Sequence, residues 1–355
     1  MYEANTIFSQ QLLHWYNASY RQLPWRETKD PYAIWLSEVI LQQTRVEQGT
    51  KYYFAFLENY PTILDLAEAP QDDVLRLWQG LGYYSRARNL HATAMIVRDH
   101  YKGIFPSNYK DILMLPGVGP YTAAAIASFA FDIPEAAVDG NVYRFLSRLL
   151  GIQTPIDSPK GQKEFKLLAQ SLISQKHPGK FNQAMIEFGA IVCKPANPTC
   201  SICVFRDQCY AHKHQIIKEL PVKSNKTKVR NRHFIFLILN DNEGQTLIQK
   251  RDDSDIWAGL YQFPMLEFEQ PFPDFTSQVL QQAHPFFSSQ NFRIQHISSE
   301  VRHILSHQKL FTRFIHIYVE TLPSEIFINS EIRFMDQLHE KAFPRLITRY
   351  LEDFL

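Results

Sequence analysis

The sequence predicts a multidomain chain, an all-α amino-terminal domain followed by an α+β carboxy-terminal one, and three features carry the prediction. Up to about residue 210 the apolar residues fall in helical runs between Pro and Gly breaks, whereas beyond about residue 230 they come in β-rich runs separated by turns. The two regimes meet in the chain's one basic stretch. Every cysteine, Cys193, Cys200, Cys203 and Cys209, lies near the end of the helical part, with six, two and five residues between successive members. A chain of 355 residues buries roughly three-quarters of its unfolded surface, so each part can own a core.

No apolar run approaches the roughly 18 residues of a membrane span, and the opening MYEANTIFSQ has neither the basic and apolar regions nor the cleavage site of a secretory signal. A soluble, cytoplasmic protein is expected, and in that compartment the cysteines are not expected to form disulfides. With 37 Lys and Arg against 36 Asp and Glu the net charge is only +1, so a nucleic-acid partner would have to be held by local donors rather than by a global field. The basic stretch runs from Lys213 through Lys218, Lys223, Lys226, Lys228, Arg230 and Arg232, opposed only by Glu219. It reads as a solvated linker over 216–232, with a phosphate-binding segment as the alternative. No internal repeat or low-complexity tract interrupts the chain.

The first well-marked helix is PYAIWLSEVILQQTRV: Asp30 can cap it, Pro31 suits its first turn, and it is expected to run to about Val46. Ile34, Glu38 and Leu41 then share one face, which sets a carboxylate in an apolar stripe. Such a Glu commonly keeps its head in water at a helix edge. If desolvated, its pKa rises and it becomes a candidate general acid near neutral pH.

LPGVGP, residues 115–120, follows a short helix closed by Leu113 and Leu115 and precedes TAAAIASFAF, a second helix. Gly117 and Gly119 permit a tight turn, and a helix N-terminus behind it suits a phosphate oxygen. Many helix pairs use glycine merely to turn. In VDGNVYRFLSRLL, Val142, Phe145, Leu146 and Leu149 form a helical stripe and leave Asp139, Gly140 and Asn141 at its start. Asp139 reads as an ordinary N-cap, and a carboxylate at that positive end also suits a group facing a developing cation.

Four thiolates within one short connection can surround a single metal centre, and the spacing leaves structural zinc and a 4Fe-4S cluster equally open. In the second part, HFIFLIL, the turn-like DNEG and TLIQKR signal a hairpin. FRIQHI, EVRHIL and KLFTRFIHIYVE are further strands, and EKAFPRLITRYLEDFL closes the chain as a helix after a Pro.

Taken together, LPGVGP, VDGNV about 20 residues later and cysteines with gaps of six, two and five resemble the helix-hairpin-helix DNA glycosylases that carry a 4Fe-4S cluster, a match over roughly residues 1–215. Bifunctional endonuclease III-like members have a lysine where this chain has Tyr121, and a tyrosine cannot form a Schiff base. LPWR, SEVILQQTRV, GLGYYSRARNL and FNQAMIEFGAIVC look instead like the MutY-type adenine DNA glycosylases, which remove adenine mispaired with 8-oxoguanine. MutY enzymes end in a domain similar to the nudix hydrolases without their metal-binding glutamates, and the sequence after WAGLYQFP likewise lacks the nudix box.

The resemblance implies a fold of an all-α helix-hairpin-helix glycosylase domain with a 4Fe-4S cluster plus an α+β nudix-like domain. Its boundaries would be 1–215, with the hairpin near 112–130 and the cluster loop at 193–209, then the linker at 216–232 and a lesion-recognition domain at 233–355. It implies Glu38 as general acid, Asp139 as stabiliser of an oxocarbenium-like sugar, and Tyr121, Asn141 and Glu187 as positioning groups. Trp25 and Arg26 would flank the flipped base, Gln43, Thr44, Leu81 and Tyr83 would meet the opened duplex, and Gly117, Val118 and Gly119 would meet phosphate. Family members often have Phe-Ser-His in the segment that reads 8-oxoguanine; here it is Leu305, Ser306 and His307, which removes an aromatic and keeps two hydrogen-bonding groups. The implied cofactor is the cluster, held by the four cysteines, and the implied partner is mispaired double-stranded DNA bound by a monomer. A glycosylase for oxidised pyrimidines and a non-catalytic iron-sulfur DNA-binding protein are the alternatives.

Overall fold

The computed structural model describes residues 2–224, 229–252, 254–270, 278, 280–281, 285–289, 291–323 and 327–354. By their contacts they form two compact units, Met1–Glu68 with Asn89–Lys226, and Ala69–Arg88 with Thr227–Leu355. The segment 69–88 therefore groups with the second unit and interrupts the expected single span of 1–215. Within that unit Asp72 accepts from the Tyr261 hydroxyl at 3.1 Å and Arg88 donates to the Ala258 carbonyl at 2.6 Å.

The helices of the chain's first part are α1 (Tyr2–Ser19), α2 (Pro31–Leu41), α3 (Val46–Asn59), α4 (Ile63–Glu68), α5 (Gln71–Leu77), α6 (Ser85–Tyr101), α7 (Tyr109–Leu113), α8 (Pro120–Phe131), α9 (Gly140–Leu150), α10 (Pro159–Leu172), α11 (Pro178–Ile191) and α12 (Tyr210–Lys213). The Asp30 carboxylate caps α2 as expected, accepting from the amides of Tyr32 and Ala33 at 3.1 and 3.2 Å. The helix does not reach Val46. It stops at Leu41 because Gln42 leaves the helical region with ψ 112° and Gln43 takes a left-handed φ of 57°, after which α3 restarts at Val46.

The main core of this unit gathers Phe145, Phe165, Phe181, Phe188 and Phe205 from α9, α10, α11 and the cysteine loop. A smaller cluster packs Ile34 and Phe129 around Ala124, Ala125 and Ala137, and the small alanines let α8 lie close to α2. Between α7 and α8, Gly117 has φ 71°, and a Cβ there would stand 2.7 Å from the Asn89 side chain. Only glycine fits that turn.

Among the described residues the second unit is built on an eight-stranded mixed sheet: β1 (Arg230–Asn240), β2 (Gln245–Lys250), β3 (Tyr261–Gln262), β4 (Met265–Phe268), β5 (Phe292–Ile297), β6 (Val301–Ile304), β7 (Gln308–Val319) and β8 (Ser330–Phe334). The path runs β3-β2-β1-β7-β5, with β4 on β1, β6 on β7 and β8 on β2. Long strands β1 and β7 pair in parallel from Arg230↔Gln308 to Asn240↔Tyr318. HFIFLIL is a continuous apolar run because both of its faces are covered. Phe234, Phe236 and Ile238 join the core under α14 (Arg345–Phe354), while Ile235, Leu237 and Leu239 join the opposite core with Phe286 and Phe287 of α13 (Phe286–Ser289).

The basic stretch is only partly a linker. Lys226 and Lys228 lie outside the described residues, and Arg230 and Arg232 belong to β1. Arg232 is buried, with its guanidinium forked between Asp255 (2.8 and 2.7 Å) and Glu267 (2.8 and 2.7 Å). No described helix is long and apolar enough to cross a membrane.

Candidate functional site

A cavity of about 700 Å³ opens in the first unit among α2, α8, α9 and α11. Its lining brings together Trp25, Arg26, Glu38, Gln43, Thr44, Tyr121, Asp139 and Asn141, all singled out from the sequence. Each is delivered by a local device. The left-handed turn at Gln43 sets that residue and Thr44 at the rim, Pro120 starts α8 just before Tyr121, and Asp139 begins α9. Trp25 is buried, edge-on to Tyr53 with ring centroids 5.4 Å apart.

Asp139 is an N-cap and a cavity residue at once. Its Oδ1 accepts from the amides of Asn141 and Val142, both at 2.9 Å, and its Oδ2 from the Asn141 side-chain amide at 2.6 Å. Asn141 is itself held by Arg144, whose Nη2 reaches Asn141 Oδ1 at 2.9 Å and the Gly189 carbonyl at 2.7 Å.

Glu38 is half-buried by surface, since it faces a cavity that admits water, but the protein around it desolvates the charge. Burial pushes its pKa up to about 7, Asp139 adds to the rise, and a hydrogen bond from the Tyr121 phenol and the Arg26 charge oppose it. Tyr121 is driven well above the usual phenol range by burial and by the two carboxylates, so it stays a donor. Burial also raises Asp139, against its three donors and Arg144. Burial dominates at both carboxyls, and what sets Asp139 apart is the three hydrogen-bond donors and Arg144 that favour its anion, against the Tyr121 phenol and the Arg26 charge at Glu38. Such a pair suits one proton donor and one anion.

Glu187 is fully buried behind the cavity wall and does not reach Asp139. Arg21 grips it with Nε and Nη2, each at 2.7 Å, and Arg26 Nη2 adds a contact at 2.8 Å. Burial pushes its pKa up, but the two arginines outweigh it and hold the carboxylate at about 2. Arg21 was not visible in the sequence as a site residue, because a lone Arg two residues before LPWR carries no pattern.

The hairpin forms, with one change. The Val118 side chain is buried and its amide donates to the Leu115 carbonyl at 3.1 Å, so this residue is a turn element and not a free donor. Gly119, by contrast, faces open space. In the second unit Leu81 is buried, and as placed it packs rather than projects. Tyr83 is exposed, sits at φ 48°, and its hydroxyl is in hydrogen-bond contact with Ser306 Oγ. Ser306 and His307 form the exposed turn between β6 and β7, closed by Leu305 N to Gln308 O at 2.8 Å. Leu305 is half-buried and packs on the core under α14.

All four cysteines are free and line one pocket, walled by Phe145, Leu149, Phe188 and Phe205. Among the described residues no three or more of the Cys, His, Asp and Glu side chains converge as ligands of one ion. Burial pushes the thiols of Cys193 and Cys200 up and that of Cys203 to about 11. Arg148 lies beside them: its Nη1 is 3.7 Å from Cys193 Sγ and 2.7 Å from the Lys194 carbonyl. Arg144 Nε meets the Cys193 carbonyl at 2.7 Å. These buried arginines, four apart beside the apolar stripe of α9, are the signal the sequence offered and its reading missed.

Comparison with known proteins gives the family of the chain. Residues 36–170 match the HhH-GPD superfamily of base excision DNA repair proteins, and residues 234–353 match the NUDIX domain family. The chain is 34% identical over 327 residues to an adenine DNA glycosylase of Buchnera aphidicola subsp. Baizongia pistaciae, covering 91% of this chain and 89% of that one. It is 32% identical over 371 residues to the adenine DNA glycosylase of Mus musculus, covering 90% and 72%. Among solved structures, a thermostable thymine-DNA glycosylase superposes with a TM-score of 0.56 at 31% identity, over 60% of this chain and 98% of that one.

Proposed function

The chain belongs to the adenine DNA glycosylases, enzymes that remove adenine in base-excision repair, and we propose that it acts on adenine opposite 8-oxoguanine or guanine, with Glu38 and Asp139 as its two working carboxyls. The observation that carries the assignment is the pairing of a Glu38 poised near pH 7 with an Asp139 held by anion-favouring donors in one cavity.

A stacked adenine must be flipped out of the duplex to reach such a cavity, at a cost of a few kcal/mol that a mispair lowers. Trp25 and Arg26 then flank the base, and Gln43, Thr44 and the exposed Tyr83 meet the opened strands. Glu38 gives its proton to a ring nitrogen of adenine, so the base leaves neutral rather than as an anion. Such catalysis is commonly worth about 100 to 10,000-fold. Positive charge develops on the deoxyribose as the glycosidic bond breaks, and the Asp139 carboxylate faces it. Asn141 fixes Asp139 through its side-chain amide, and Tyr121 fixes Glu38. Water then completes the hydrolysis. Without an amine at position 121, no imine to the sugar forms and the strand stays intact. Glu187 acts at one remove, by holding Arg26 at the cavity wall.

The donor set fits a 4Fe-4S cluster: four free thiols around one apolar pocket, with a guanidinium beside Cys193. Cys193, Cys200, Cys203 and Cys209 would hold it, and it would organise the loop between them rather than take part in cleavage. Ser306 and His307, with Tyr83 against Ser306, are the groups assigned to reading 8-oxoguanine.

A panel of duplexes tests the substrate assignment. Under single-turnover conditions, adenine opposite 8-oxoguanine should be released fastest, adenine opposite guanine more slowly, and thymine glycol not at all. Preferential release of thymine glycol would transfer the chain to the pyrimidine-specific activity.

A further inference from the structure

The cavity that holds Glu38 has a neighbour. A second cavity, of about 350 Å³, lies in the same unit, and the two share three wall residues, Arg26, Phe129 and Gln183. From these the chamber continues past Tyr16 and Tyr20 of the α1 end to the exposed Lys180 of α11. We infer that the second cavity is the exit for the freed purine base, which passes the shared wall while the abasic duplex is still bound.

The argument is one of geometry and chemistry, and it rests on adenine being excised in the first cavity. A flipped nucleotide enters from the side on which the duplex lies, so after cleavage that opening is covered and the base is enclosed. The wall that this cavity holds in common with the second chamber is formed by Arg26, Phe129 and Gln183. Arg26 is pinned by the Glu187 carboxylate and the Arg21 carbonyl, at 2.8 and 2.9 Å. The helices cannot separate easily either, because Gly179 packs so close to α8 that a Cβ would stand 2.4 Å from the Ser128 carbonyl. The moving part is therefore Gln183, whose Oε1 is held by the Tyr16 hydroxyl at 3.1 Å. Breaking that one hydrogen bond lets the side chain swing and opens the wall beside Phe129.

The chamber behind suits a neutral purine. An amide such as Gln183 matches the donor and acceptor edge of adenine, and the rings of Tyr16 and Tyr20, 5.1 Å apart, offer aromatic faces to the base. Arg26 of the shared wall already lies 5.7 Å from the centroid of the Tyr16 ring, so the fixed side of the wall borders the chamber.

The test uses the full chain in excess over an adenine–8-oxoguanine duplex labelled in the adenine. Cleavage is followed as alkali-labile sites, base release as label passing a filter that retains the protein–DNA complex. In the wild type the label should pass the filter while the abasic duplex is retained. Lys180→Trp, at the outer mouth, should leave cleavage unchanged and slow base release at least 10-fold, whereas Gln183→Ala should speed release relative to cleavage. Label that passes only as the duplex dissociates, or a Lys180→Trp enzyme that releases base as fast as wild type, would overturn the exit. Absence of alkali-labile sites on this duplex counts instead against the 8-oxoguanine assignment, and the adenine–guanine duplex then carries the same test.

Discussion

Glu38 shows what a single residue contributes and what it costs. Its place in an apolar stripe with Ile34 and Leu41 was legible from spacing alone. Its acidity was not, because the rise to about 7 comes from burial and from Asp139, a residue 101 positions later that only folding brings near. The folded chain binds this proton more tightly than the unfolded one, so the stability Glu38 contributes falls as pH climbs from about 4.5 through 7. Above that range the folded state carries a desolvated charge. Glu38→Gln should therefore be more stable than wild type at pH 8, by on the order of 1–3 kcal/mol, and close to it at pH 5. Denaturant melts at the two pH values measure this, and a difference that does not grow with pH contradicts the buried charge. Asp139 teaches the complementary lesson: the sequence offered it as an N-cap and as a candidate site residue, and in the fold the N-cap also lines the cavity.

Elements place these residues, and turns decide where the elements end. The sequence located α2 but carried it past Leu41, since nothing in QQTRV marks a stop; Gln43 adopts a left-handed φ only because α3 must restart at another angle. The hairpin was legible because Gly-Val-Gly is itself the cause of the turn. Gly117→Ala adds a Cβ at a positive φ and against Asn89, and should cost about 1–3 kcal/mol in thermal unfolding. It should also weaken duplex binding while sparing the cleavage rate of bound substrate. Full wild-type stability in this variant would mean that the turn relaxes. Leu81 illustrates the limit of motif reading: within GLGYY a wedge and a packing residue look alike, and burial separates them.

At the scale of the whole molecule, two units and a clustered set of cysteines were foreseeable from composition along the chain. The return of residues 69–88 to the second unit was not, because it depends on partners such as Asp72 with Lys250 and Arg88 with Ala258 that share no local pattern. The cysteine loop is tied to α9 by Arg148 and to the Asp139 end of that helix by Arg144, so a centre held there is expected to be structural for the site. Purified protein should be brown and contain four irons per chain, and Cys203→Ser should lose colour and iron together; a colourless protein with stoichiometric zinc would contradict the cluster. The central claim, that Glu38 protonates adenine as it leaves, is tested most directly by the single-turnover rate of adenine release from an 8-oxoguanine duplex, measured from pH 5 to 9 for wild type and Glu38→Gln. The wild-type rate should fall as pH rises through about 7, where Glu38 loses its proton, and Glu38→Gln should lose about 100 to 10,000-fold below pH 7, a deficit that narrows at higher pH, while still binding the duplex. A Glu38→Gln enzyme that turns over at the wild-type rate, or a wild-type rate that does not fall above pH 7, would contradict it.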